Sequence, residues 1–427
     1  MKRRLLLSAA LLVLSVLSAL PDLAQAAPPG DDELDALNVA DRANTKVEQA
    51  ADWHTFVEAA YGDTAQRYGL PSYQNGRLSI DTSLDKTLAP GWRLVFADRL
   101  DWEWQSEAPD QARINTLKEL YLSWHVSPEQ IVDVGRINTR YGVATGYNPT
   151  DYFRDDAVRS IVSINPSSLR NNRLGSVMLR EQTLWDGGSL TALVSPKLES
   201  TPSSEPFNVD LGATNHVNRW LLAASQQFSD TVNPQVLLYG EQGKSPQMGL
   251  DLTRLFGDAT VAFVEWSGGR SASEYAEALG GPEREVFRSR LAAGFTYTTN
   301  NKISVTLEAE YDGAALDKAN WAALGQGSAA RYLQYRNAVQ GAQDLPTKED
   351  LFVYASWQDA GITHLDLTAL VRQDLTDQSR LTWMEARYHW DHVDLALQWQ
   401  RYGGRPWSDF GVLPGRTTWQ TVATYYF

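Results

Sequence analysis

Cysteine is absent from the 427 residues. No disulfide can hold this chain together, so a fold of its size must rest on a large core or a closed hydrogen-bond network. Beyond Leu20 no stretch approaches the ~18 uninterrupted apolar residues of a transmembrane helix, which excludes a helical membrane protein. Histidine is scarce, with six in all: His54, His125, His216, His364, His389 and His392. His389 and His392 are separated by Trp390 and Asp391 in strand-like surroundings, so their spacing presents no helical face for a metal pair; they read as a tight turn with interfacial aromatics. Gly-x-Ser-x-Gly, His-Glu-x-x-His and a phosphate-binding loop are all missing, and Gly187-Gly188-Ser189 is hairpin chemistry. Catalytic groups dispersed over strands would leave no local signature, so a barrel enzyme stays a minor alternative. No catalytic residue, metal or cofactor is assigned.

What is present begins with an export signal. Lys2, Arg3 and Arg4 precede an apolar run from Leu5 to Leu20 and the small-residue exit Ala24-Gln25-Ala26, which predicts a secretory signal peptide over 1–26, cleaved near Ala26. Residues 27–52 are polar and Pro-headed, and read as a periplasmic N-terminal leader, with a barrel plug as the alternative. From Trp53 the period becomes two. Ile303, Val305, Leu307, Ala309 and Tyr311 alternate with Lys302, Ser304, Thr306, Glu308 and Glu310. Trp92 to Trp104 and Val393 to Trp399 behave alike, each with one apolar and one polar face.

Eighteen such segments fit between 53 and 427, and the connections between them alternate long and short. A soluble sandwich has no reason to keep that parity. A transmembrane barrel has one, because its periplasmic turns are short and its extracellular loops long. The predicted fold is therefore all-β: a transmembrane antiparallel β-barrel of about 18 strands, with both ends in the periplasm. The supply of 15 Trp, 18 Tyr and 12 Phe suits the aromatic belts of such a barrel.

One stretch, Gly135 to Ser176, opposes the chain's formal charge of -14. It carries Arg136, Arg140, Arg154, Arg159, Arg170 and Arg173 against only Asp151, Asp155 and Asp156. Strand parity makes 137–176 the third extracellular loop. Asn148-Pro149-Thr150-Asp151 is turn chemistry, and Gly142 and Gly146 relax steric limits beside it, so the loop is expected to be ordered. Ser160 to Ile164 is too apolar for open water, which favours an inward fold against a wall or another loop. Guanidinium groups placed there would attract anions. The candidate solute-binding residues are the six arginines with Tyr147, Asp151 and Tyr152. Two other roles compete: anchoring to lumen acids such as Asp101, Glu103, Glu119, Asp133, Glu308, Glu310 and Asp366, and contact with lipopolysaccharide phosphates.

The block Gly135-Arg136, Tyr141-Gly142 and Gly146-Tyr147-Asn148-Pro149-Thr150-Asp151-Tyr152-Phe153 resembles a motif of porin-like outer-membrane β-barrel proteins of Gram-negative bacteria, and the loop resembles the third loop of general porins in order and length. The closing Thr421 to Phe427 is similar to the signal read by the barrel assembly machinery, with Val422 where that pattern usually has Gly. The resemblance implies an outer-membrane channel for small, anionic, hydrophilic solutes, working as monomer or trimer. It further implies outer-membrane lipid, lipopolysaccharide, the assembly machinery (through Phe427) and a small solute as partners, and no nucleic acid. Alternatives are a polysaccharide export or assembly barrel, and an enzyme or adhesin using Asp312 to Glu349, whose 322–341 portion reads as helical.

Overall fold

The computed structural model describes residues 52–106, 108–281 and 283–427. The expected signal peptide and all but the last residue of the expected leader lie outside these. The described chain forms eighteen strands in sequence order. The first six are β1 (Trp53–Gln66), β2 (Tyr73–Ala89), β3 (Trp92–Gln105), β4 (Ala108–His125), β5 (Gln130–Ile137) and β6 (Ser176–Trp185). Then come β7 (Gly188–Ser195), β8 (Arg219–Gln226), β9 (Val232–Glu241), β10 (Gln247–Phe256), β11 (Thr260–Ser271) and β12 (Val286–Thr298). The last are β13 (Ile303–Asp312), β14 (Glu349–Trp357), β15 (Leu365–Asp374), β16 (Arg380–His389), β17 (Val393–Gly403) and β18 (Gly415–Tyr426). Each pairs antiparallel with its sequence neighbour, and β18 returns to β1 with Phe56 opposite Tyr426. The sheet is closed, so every strand has a partner strand on each side.

The barrel is inside out relative to a soluble protein. On β17, Val393, Leu395 and Leu397 are 36%, 44% and 50% exposed, while the alternating Asp394, Ala396 and Gln398 are 5%, 0% and 7% exposed. Period-two alternation sends one set to the lumen and the other to the surroundings, and only lipid makes that assignment favourable. Aromatics mark both borders of the apolar band. Trp92 stacks on Trp124 with centroids 5.4 Å apart at one end of β3, and Trp102 and Trp104 face outward at the other. The ten residue-to-residue steps from Trp92 to Trp102 span ~33 Å of strand, which at a tilt of ~40° gives ~25 Å of height, the thickness such a band needs.

Connections at the end holding both termini are short. Asp186-Gly187 joins β6 to β7 with Gly187 at φ +70°, a left-handed value that glycine adopts without steric cost. Those at the other end are mostly long and carry five helices: α1 (Pro166–Asn171), α2 (Leu211–Thr214), α3 (Glu274–Leu279), α4 (Lys318–Gly325) and α5 (Ala329–Ala342). The helical reading of 322–341 matches α4 and α5. The connection anticipated over 105–115 is almost entirely strand: β3 and β4 run on, Gln105 opposite Ala108. Strands that protrude beyond the apolar band need no apolar face, so Ala112 to Asn115 reads as loop and folds as sheet. For the same reason the connection anticipated over 62–76 shrinks to 67–72.

Much of the interior is held by charge. Arg99 Nε lies 2.9 Å from Asp101 and its Nη2 2.9 Å from Glu58, while Lys118 Nζ lies 2.7 Å from Asp81. Toward the loop end, apolar clusters take over. One joins Ile137, Phe153, Met178, Leu221 and Leu237; another joins Trp321, Leu324, Tyr332, Tyr335 and Val339 across α4 and α5.

Candidate functional site

The connection between β5 and β6 is pinned across the lumen by two carboxylates. Gly142 adopts φ +95°, and a Cβ there would stand 2.5 Å from Glu265 Oε1. That close approach aims the following amides at β11 and β13. Val143 and Ala144 donate to Glu265 Oε2 at 2.9 and 3.0 Å; Thr145, Gly146 and Tyr147 donate to Glu308 at 2.9, 3.1 and 2.9 Å. Thr150 then returns to Glu265 Oε1 through its amide at 2.8 Å and its hydroxyl at 2.9 Å. Between these anchors Asp151 N donates to Asn148 O at 3.2 Å, closing the Asn-Pro-Thr-Asp turn, and Asn148 Nδ2 donates to Ala144 O at 2.7 Å. Backbone amides that a loop would otherwise leave to water are thus answered by charged acceptors. On the return arm α1 begins at Asn165, whose Oδ1 accepts from Ser167 N at 3.1 Å.

The six arginines take different places. Arg173 is buried and donates to both oxygens of Asp151, at 2.8 and 3.2 Å, and to Thr139 O at 2.6 Å. Arg154 binds Asp344, Asn148 O and Ala342 O, with its guanidinium 5.0 Å above the Tyr147 ring. Burial works against charge on Arg154, but the Asp344 carboxylate outweighs it and holds the guanidinium above its ordinary pKa. Arg159 spreads over four carbonyls, those of Asn115, Ser203, Glu205 and Asn208, with Asp210 3.7 Å from its Nε. Arg136 is buried on β5, 3.5 Å from Leu117 O. Arg140 donates to Asn171 Oδ1, and Arg170 donates to Tyr141 O at 3.3 Å.

The other three candidates are structural neighbours of these. Tyr147 OH donates to Asp312 at 2.9 Å and to Asp344 at 3.1 Å, and burial pushes its phenol well above the usual range. Tyr152 stacks on Tyr239 at 4.5 Å, with Ser267 Oγ 2.9 Å from its hydroxyl. Asp155, not among the candidates, is half-buried; burial and the neighbouring Asp344 carboxylate push its carboxyl up to about 7. The apolar piece 160–164 divides. Ile164 packs against Phe352, Leu370 and Trp383, while Ile161 is exposed.

Two cavities flank the connection. The one toward the loop end has a volume of about 880 Å³, and Tyr147, Asp151, Arg154, Arg159, Arg170 and Arg173 help to line it. The one toward the turn end has a volume of about 330 Å³ and is lined in part by Arg140 and Arg170 with Asp251. Thr145, Pro166 and Arg170 line both, so the two share these residues as a common wall. Arg136 and Tyr152 line neither. The larger cavity also takes Arg336 of α5 and Arg372 of β15, opposite Asp350 and Asp409. Sequence reasoning passed over both arginines. Arg372 does fall on the polar parity of its strand, but parity gives a face and no depth. Its Nη2 donates to Gly146 O and, at 3.2 Å, to Glu310.

Glu274, Asp312 and Asp344 bring carboxylate oxygens within 4.8 Å of one another. Arg290 stands among them, 3.4, 3.0 and 3.6 Å from the three, so a guanidinium already answers the cluster.

The fold has known counterparts. The chain is similar to Acinetobacter baumannii OccAB1 at a TM-score of 0.56 and 11% identity, over 88% of this chain and 96% of that one. Pseudomonas aeruginosa OccK5 (OpdH) gives 0.54 and 11% over 88% and 98%. Pseudomonas aeruginosa OccK2 (OpdF), solved in complex with glucuronate, gives 0.51 and 10% over 88% and 97%. No family model and no curated protein matches the chain. The chain therefore has the closed eighteen-stranded fold of the Occ/Opd outer-membrane porins, the porin-like barrel that strand parity anticipates.

Proposed function

We propose that this chain is a non-enzymatic outer-membrane channel through which small, hydrophilic, preferentially anionic solutes diffuse, with the β5–β6 connection setting its width. The carrying observation is the pair of lumen cavities on either side of this connection, which share Thr145, Pro166 and Arg170 as a common wall. Charged groups around the larger cavity occur in both signs, so it attracts neither strongly. The smaller one holds Arg140 and Arg170 against Asp251, which already accepts from Thr150 Oγ1 at 2.9 Å. A solute passing from the larger cavity through the smaller one would meet Arg170 on the shared wall and Arg140 beyond it, a device suited to anions. Glucuronate, the ligand of OccK2, is a fitting first probe because its carboxylate matches a guanidinium fork.

In this reading residues 1–26 direct export and are removed, 27–52 lie in the periplasm, the short turns face the periplasm and the long connections face outward. Phe427 is the residue presented to the assembly machinery; its amide donates to Thr55 O at 3.1 Å in the finished barrel. The test is the reversal potential of the purified protein in planar bilayers under a salt gradient. Anion preference that falls in Arg170→Ala and Arg140→Ala supports the proposal. Cation selectivity indifferent to both substitutions overturns the anion assignment, and absence of any conductance overturns the channel.

A further inference from the structure

A second group of arginines lies at the loop-end rim on the outside of the barrel. Along β17 the outward parity runs Leu395, Leu397, Trp399, Arg401, from the apolar band through its aromatic border to the first row beyond. Trp399 lies opposite Trp419 of β18, ring centroids 6.3 Å apart, and Arg401 opposite Thr417. The neighbouring pair β18–β1 is irregular at that height. Ala65 faces Thr417 and Gln66 faces Gly415, so Arg416 has no residue across from it. A bulge of this kind re-aims the side chain of the extra residue. Arg416 joins Arg401 and Arg67 around one cavity of about 490 Å³, which Tyr68, Tyr402 and Gly404 help to complete.

Charge around this cavity is one-sided. Arg401 and Arg416 are exposed, and their side chains make no hydrogen bond or ion pair with any described residue. Arg67 is half-buried; it donates to Tyr402 O and Phe410 O, and its Nε has no partner. Asp63, the acid on the next outward row beside Trp419, forms no ion pair with any of the three. Arg99, Arg154, Arg173 and Arg387, by contrast, are each matched to a carboxylate. Burial lowers the pKa of Arg67; Tyr68 works against that, and the neighbouring Arg416 and Arg401 lower it further.

We propose that this cavity binds the phosphate of a phosphorylated glycolipid headgroup in the outer leaflet, as lipopolysaccharide presents. Guanidinium groups grip phosphate oxygens bidentately, and three around one cavity fit a dianionic phosphomonoester. Position selects a lipid over a free ion: Arg401 stands on the outward parity of β17, one row beyond Trp399 and Trp419, at the height of headgroups. The assignment rests on the outward orientation of the long connections; it does not depend on what crosses the lumen.

The test is native mass spectrometry of the full chain in detergent, titrated with bisphosphorylated lipid A, with the same lipid after phosphatase treatment, and with inorganic phosphate as competitor. One lipid A adduct is expected on the wild type. Its apparent affinity should fall about tenfold in Arg401→Ser/Arg416→Ser, the loss of charge-assisted bonds converted to a binding ratio. Single-channel conductance should be unchanged, since neither residue lines either lumen cavity. Equal binding by the double variant, equal binding of the dephosphorylated lipid, or displacement by millimolar phosphate overturns the proposal. The dephosphorylated arm uses wild-type protein and stands even if the variant fails to assemble. Lipid binding without conductance would defeat the channel reading and leave this site intact.

Discussion

Arg173 and Asp151 form a buried, two-bonded ion pair inside a single connection, with Nη1 to Oδ2 at 2.8 Å and Nη2 to Oδ1 at 3.2 Å. The pair ties the Asn-Pro-Thr-Asp turn to the returning arm, and Arg173 also reaches the outgoing arm at Thr139 O. Arg173→Met leaves the Asp151 carboxylate buried without its cation, a loss of about 3–5 kcal/mol in the local fold. Single-channel recordings of this variant should show larger, noisier openings than the wild type. Arg173→Met/Asp151→Leu, which removes both charges, should recover much of the quiet behaviour; if the double variant is as noisy as the single, the ion pair is not what orders the connection.

Glu265 should matter more than any arginine of the connection. It accepts from Val143 N, Ala144 N, Thr150 N, Thr150 Oγ1 and Asn148 Nδ2. Glu265→Gln turns an amide NH₂ toward some of those donors and removes the charge, costing at least ~3 kcal/mol locally. Hydrogen exchange of amides 143–150 should accelerate while that of β11 and β13 does not. Unchanged protection over 143–150 would refute the anchoring role.

Gly142→Ala tests the same contact from the other side. The added Cβ collides with Glu265 Oε1 and Oε2, and alanine is strained at φ +95° by about 1–3 kcal/mol. Its exchange phenotype should resemble that of Glu265→Gln and add little to it when the two are combined.

Acidity should tighten the connection near Asp155. Its carboxyl titrates at about 7 in the folded protein and at about 3.9 in an unfolded chain. Between these values the folded state holds more protons, so this contribution to stability is complete below pH ~4 and is lost as pH rises through about 7. After correction for intrinsic rates, exchange of the 153–158 amides should be faster at pH 8 than at pH 5, and Asp155→Asn should abolish the difference. Identical pH profiles in variant and wild type would rule Asp155 out as the titrating group.

The helical connection 313–348 is fastened to the 404–414 connection through Arg336 and Tyr332. Arg336 Nη2 donates to Asp409 Oδ1 at 2.7 Å and to its carbonyl at 2.8 Å, beside Tyr332 OH, which donates to Trp407 O at 3.1 Å. Arg336→Ala leaves buried Asp409 without its cation. Limited proteolysis should then cut between α4 and α5, around 326–328, where the wild type resists.

How much of this was legible in the residues varies by element. Period-two alternation located all eighteen strands, because in a membrane barrel one face of each strand must be apolar over the height of the band. It failed at Ala112 to Asn115 and beyond Tyr61, where strands leave the band and that requirement lapses. Asn148-Pro149-Thr150-Asp151 announced an ordered turn by local chemistry. The acids that order it, Glu265 and Glu308, lie over a hundred residues away on strands whose lumen-facing acids all look alike in sequence.

The sequence by itself determined the strand count, the sense of every face, the parity of the connections and the basic character of the third long one, since these follow from alternation, turn residues and composition. Only the tertiary structure decided what the arginines do. Arg154, Arg159 and Arg173 are committed to Asp344, to four carbonyls and to Asp151, while Arg170 lines two cavities and the side chains of Arg401 and Arg416 stand unmatched at the rim. A guanidinium carries the same charge in each setting. Whether it anchors, selects or binds depends on which carboxylates closure of the barrel brings within reach, and that is a property of register and depth that no local pattern records.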